Sequence, residues 1–65
     1  MNPIAKAIEY FGNNQRVMSE AIGFTQPSIS QWLNGKRLPS AEACLAIEKA
    51  TKRKVKAKDL RPDLF

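Results

Sequence analysis

The sequence predicts an all-α domain, a bundle of four to five short helices followed by an ordered C-terminal extension. Three observations carry that expectation. Sixty-five residues make one domain. Apolar residues recur at helical spacing, as in Ile4, Ile8 and Phe11, and nothing alternates in the manner of a strand. Caps and stops punctuate the chain at short intervals: Asn2-Pro3, Gly12, Gly23, Thr25, Asn34-Gly35 and Ser40.

Pro3 suits the first turn of a helix, where a missing N–H costs nothing, and Asn2 is placed to cap it. Gly12 ends that helix, and Asn13 or Asn14 caps the next. There Val17 and Ala21 share a face, with Met18 and Ile22 beside them. Gly23 follows and suits the left-handed position that stops a helix. Phe24 lies in the turn, against the core. Thr25 caps a third helix, over 25–34; Pro27 falls near its second position, among amides with no intrahelical acceptor. Ile29, Trp32 and Leu33 form its inward face. After the loop Lys36-Arg37-Leu38-Pro39, Ser40 caps a fourth helix, where Glu42 favours the positive end of the dipole. Cys44, Ile47 and Ala50 make its buried stripe, and Leu45 extends it. From residue 52 the chain changes character: a basic run, an extended stretch over 55–57, and a turn at Asp59-Leu60-Arg61-Pro62, since proline drives Arg61 out of the α region.

A chain this short buries only about 60% of its unfolded surface, so a second copy would help its stability. Eleven Lys and Arg against six Asp and Glu give a net charge of +5, which points to a polyanionic partner. No apolar run approaches the ~20 residues of a membrane span, and no signal-peptide pattern precedes the first helix, so the expected location is the cytoplasm. Histidine is absent and Cys44 is the single cysteine. An internal disulfide and a cysteine-based zinc site are thereby excluded, as is the commonest general base. No catalytic residue, metal ligand or cofactor is expected, and Cys44 reads as a small buried hydrophobe.

The stretch over 15–34 has the spacing of a helix-turn-helix. Ser19 supplies a small residue where two helices cross, and Gly23, four residues on, supplies the turn. Ile22, Phe24, Ile29 and Trp32 pin the second helix to the core. That helix opens on Thr25-Gln26-Pro27-Ser28, which combines little bulk with hydrogen-bonding groups, as a helix entering a DNA groove must.

The run Thr25-Gln26-Pro27-Ser28-Ile29-Ser30-Gln31-Trp32-Leu33-Asn34-Gly35-Lys36 resembles the recognition helix of lambdoid-phage repressor and Cro proteins. The loop and helix from Gly35 to Thr51, and the ending Asp59-Leu60-Arg61-Pro62-Asp63-Leu64-Phe65, are similar to a narrower group, the YdaS-like, Cro-type regulators of bacteria and prophages. The resemblance covers nearly the whole chain. It implies a single lambda-repressor-like DNA-binding domain over 1–65, often dimeric on DNA, acting as a Cro-like repressor or as an antitoxin. Carried onto these residues, it gives Gln26, Pro27, Ser28, Ser30 and Gln31 as base-reading candidates. A Gln amide can bond adenine N6 and N7 together, and Pro27 can pack on a thymine methyl although it donates nothing. Gln15, Arg16, Thr25, Asn34, Lys36 and Arg37 are the phosphate-binding candidates; such contacts fix register without reading sequence. At Gln15, orphan amides of a helix start are expected to point outward.

Lys49, Lys52, Arg53, Lys54, Lys56, Lys58 and Arg61 hold seven of the eleven cations. They read either as a second DNA contact or as a solvated face away from the groove; the second is preferred, with the charges steering from a distance. Leu60, Leu64 and Phe65 either fold back on the core or meet a second subunit or partner. Two functions stay open. One is a repressor that places two recognition helices in successive major grooves of a pseudo-palindromic duplex operator. The other is an antitoxin that buries a partner toxin and controls its own operon.

Overall fold

The structure, a computed structural model, describes residues 2–65. It has five helices: α1 (Pro3–Tyr10), α2 (Gln15–Ile22), α3 (Gln26–Leu33), α4 (Ala41–Ala50) and α5 (Ala57–Leu60). No strand occurs among the described residues, and the bundle measures 27 × 25 × 22 Å. Asn2, Asn14, Thr25 and Ser40 cap the first four helices as expected, each accepting from a first-turn amide through its side-chain oxygen. Such caps weigh heavily in helices of eight to ten residues, which are too short to persist alone.

The core is one cluster: Ile4, Ala7 and Ile8 from α1, Met18 and Ile22 from α2, Ile29 and Trp32 from α3, Ala43 and Ile47 from α4, and Val55. Phe24 packs against it and meets Trp32 edge to face, ring centroids 5.5 Å apart. On two helices the structure buries the residues expected in the core and leaves apolar neighbours beside them exposed. On α2 the buried stripe is Met18, Ser19 and Ile22, and Val17 and Ala21 face solvent. On α4 it is Ala43, Cys44 and Ile47, and Leu45 is 52% exposed. Each helix is so short that two faces satisfy the apolar spacing about equally, and the neighbouring helices decide between them. Cys44 is fully buried. Burial pushes its thiol pKa up, while the nearby Arg61 pulls it down.

Residues 51–57 are more ordered than their composition suggests. Thr51 is fully buried; its Oγ1 donates to the Ile47 carbonyl at 2.8 Å and accepts the Val55 N–H at 3.2 Å. Val55 is thereby drawn into the core. Ala57, expected in an extended stretch, instead opens α5, and its N–H donates to Glu48 Oε1 at 2.8 Å. Lys52 and Arg53 both have left-handed backbone, φ 53° and 66°. The chain then ends on a latch. Arg61 grips the Asp63 carboxylate through Nε and Nη2 at 3.0 and 2.7 Å, and its Nη1 donates to the Pro39 carbonyl at 2.9 Å. Leu60 is half-buried against the core, whereas Leu64 and Phe65 are exposed.

Candidate nucleic-acid interface

The turn between α2 and α3 sets up the site. Gly23 has φ 76°, and both its N–H and that of Phe24 donate to the Ser19 carbonyl at 2.9 and 3.1 Å. A Cβ at Gly23 would meet nothing within 4 Å, so backbone conformation alone holds glycine there. Ser19 is buried at the crossing, and its hydroxyl donates to the Arg16 carbonyl at 2.7 Å. The small side chain thus lets α2 and α3 approach and finds its partner within its own helix.

At 100° per residue, Gln26, Ser30, Asn34, Pro27 and Gln31 fall on one arc of about 140°, opposite the buried Ile29 and Trp32. Gln26 and Pro27 are exposed, and Ser30 and Gln31 are half-buried along the flanks. Ser28 falls outside this arc. Its hydroxyl lies 2.9 Å from Thr25 Oγ1, which also accepts the Ser28 N–H. The structure therefore gathers four of the five base-reading candidates and turns Ser28 toward the cap.

Of the phosphate candidates, Thr25 sits at the start of α3 and Asn34, Lys36 and Arg37 at its end, while Gln15 and Arg16 open α2. Asn34, Lys36 and Arg37 are exposed where α3 ends. The Lys36 and Arg37 amides both donate to the Gln31 carbonyl, at 2.9 and 3.3 Å, folding the loop back on the helix. Two cations at a helix C-terminus also suit its negative dipole end. At the start of α2, Asn14 Oδ1 already accepts from the Arg16 and Val17 amides at 3.0 and 3.1 Å. Of the outward amides expected near Gln15, those two are therefore occupied. Arg16 is exposed and pairs with Glu20 at 3.7 Å, one turn on. Thr25 Oγ1 is engaged as a cap.

Sequence reasoning missed Arg61 as a positioning residue. Through Pro39 it fixes the far end of the loop that carries Lys36 and Arg37. Its partner Asp63 pulls its pKa up, and Arg61 in turn holds the Asp63 carboxyl below the usual carboxylate range. The only sequence signal was one cation and one carboxylate flanking Pro62, which reads equally as surface charge balance.

No helix among the described residues is long and apolar enough to cross a membrane. Comparison with known proteins agrees with the geometry at the level of family. A relative from Escherichia coli (strain K12), described as "Putative transcriptional regulator YdaS", is 44% identical over 50 residues, covering 77% of this chain and 51% of its own length. The chain thus spans about half the length of that curated relative. No solved structure matches. The family model described as "Bacterial toxin YdaS" matches residues 4–65. With nearly every residue inside that match, on an all-helical fold with a helix-turn-helix spacing, the chain belongs to the YdaS family.

Proposed function

We propose that this chain is a sequence-specific, DNA-binding transcriptional repressor of Cro type, with α3 lying in the major groove. The observation that carries the proposal is the outward arc of α3. It presents Gln26, Pro27, Ser30 and Gln31 on a helix that Ile29 and Trp32 fasten to the core. The description of the E. coli relative as a transcriptional regulator supports the same reading. Two copies would set their recognition helices in successive grooves, about 34 Å apart, on a pseudo-palindromic operator. Repression would then work by occluding polymerase.

Gln26 is the leading base reader. Gln26→Ala should cost about 1–3 kcal/mol of specific binding and relax preference at one base step. Unchanged affinity and preference would remove Gln26 from the readout.

A second reading has its own support. Leu64 and Phe65 are apolar and exposed beside the Arg61 latch, and the family description names a toxin. In this reading the tail meets a partner protein, as in a toxin–antitoxin pair, and DNA binding serves control of the operon. Co-expression with the product of a neighbouring gene separates the two. If the chain rescues growth from that product, and rescue persists in Gln26→Ala/Gln31→Ala but disappears in Leu64→Ser/Phe65→Ser, the protein partner takes precedence.

A further inference from the structure

Most of the positive charge of this molecule is not where α3 is. Between Glu48 and Asp59 the chain carries six cations and two carboxylates, +4 of the total +5. All remaining residues together hold five cations and four carboxylates. The segment's cations, Lys49, Lys52, Arg53, Lys54, Lys56 and Lys58, are all exposed. None lies within ion-pair distance of a carboxylate among the described residues, where the pairs formed are Arg16–Glu20 and Arg61–Asp63. The two bordering carboxylates are turned to the backbone: Glu48 takes the Ala57 N–H, and Asp59 Oδ2 takes the Lys56 N–H at 3.4 Å. The face therefore keeps a net charge of +4 with none of its cations in an ion pair, and it is held in shape by the Thr51–Val55 bonds.

In the fold the face lies against α1. Pro3 and Lys6 of α1 share a shallow groove with Val55 and Asp59, so a further exposed cation, Lys6, borders the face. The residue before α1 meets the C-terminal end of α3, where Asn2 Nδ2 donates to the Leu33 carbonyl at 3.3 Å. α1 thus packs against both α3 and the segment that carries the basic face.

The backbone adds an independent indication. At four of the six described positions with positive φ the chain uses Gly or Asn, at Gly12, Asn13, Gly23 and Gly35. At the other two, consecutive ones, it keeps Lys52 and Arg53. Left-handed backbone disfavours such side chains, so two of the face's cations stand at conformationally costly positions.

We infer that the face formed by Lys49, Lys52, Arg53, Lys54, Lys56 and Lys58 binds the phosphate backbone of duplex DNA without regard to sequence, as a second surface separate from the outward arc of α3. A field concentrated on one side draws that side to a polyanion first. The molecule would meet duplex through this face and be held there by counterion release. Reading through α3 is a different binding mode with a different set of contacts. The proposed repressor function enters only in making duplex DNA the polyanion.

The test uses the full chain and a 30-base-pair duplex of random sequence, with anisotropy followed across a salt series. Lys52→Gln/Lys54→Gln/Lys58→Gln removes three exposed charges, and its fold is checked by circular dichroism. The slope of log K against log salt should fall by up to about 2.7, since each neutralised phosphate contributes about 0.9. Affinity at low salt should drop about tenfold or more. The Lys→Arg version of the same triple should retain both quantities. An unaltered slope in the Gln triple would overturn the inference. So would wild-type protein that binds phosphatidylglycerol vesicles but not the duplex. Failure of sequence recognition by α3 would appear separately, as loss of preference among duplexes with this salt-dependent binding intact.

Discussion

Thr51→Val tests how the α4–α5 junction is held. The two side chains are nearly the same shape, so the substitution removes hydrogen bonds and little volume. Thr51 Oγ1 makes its shortest bond to the Ile47 carbonyl, which also accepts the Thr51 N–H at 2.9 Å and so keeps a partner in the variant. The Val55 N–H is in a different position. It donates to Thr51 Oγ1 at 3.2 Å, Val55 is 1% exposed, and valine offers no acceptor. Leaving one buried N–H unsatisfied costs about 1–3 kcal/mol. In a domain of this size each kcal/mol shifts Tm by about 4–8 °C, so Thr51→Val should melt roughly 10 °C below wild type. Thr51→Ser keeps the hydroxyl and supplies the control. Amide exchange gives the site-specific readout: protection at Val55 should collapse in the Val variant and survive in the Ser variant. Wild-type stability in Thr51→Val, with Val55 still protected, would refute the reasoning.

Three further outcomes follow from the same structure. Arg53→Gly relieves a left-handed residue at φ 66° and, after allowing for the freer unfolded chain, should raise stability by about 0.5–1 kcal/mol; a lower denaturation midpoint would contradict this. Arg61 holds the Asp63 pKa below the ordinary carboxylate value, so the latch contributes fully above that ordinary value and is lost as pH falls through the depressed one. Thermal melts of wild type and Asp63→Asn should therefore differ near neutral pH and converge in strong acid, whereas a constant gap would exclude the linkage. Lys36→Gln should weaken binding to every duplex alike and flatten the salt slope by about one unit, and an unchanged slope would place Lys36 off the phosphate backbone.

The helices and their caps were legible because each depends on a few neighbouring residues. Asn2, Thr25 and Ser40 bond amides two or three positions away, and Gly23 answers to its own φ. Which apolar neighbours on α2 and α4 stay exposed was less legible. Val17 and Met18 are adjacent apolar residues on an eight-residue helix, and only the packing of α3 and α4 against α2 decides that Met18 goes in. The outward arc of α3 followed from helical spacing, but Ser28 did not, because its engagement with Thr25 depends on side-chain geometry at the cap. Contacts distant in sequence were invisible. Arg61 reaches Pro39 across 22 positions and Glu48 reaches Ala57 across nine, and no local pattern announces either. The basic segment was apparent as composition, but its lack of ion-pair partners and its place against α1 required the fold.

The central claim is that α3 reads a specific duplex sequence. Selection of the protein against a random pool of DNA duplexes at physiological salt tests it most directly. The account predicts enrichment of a two-fold-related motif with half-sites about one helical turn apart, and loss of preference at one base step in Gln26→Ala. Recovery of unenriched duplexes, with binding that disappears as salt rises, would contradict it and leave only sequence-independent attraction to phosphate.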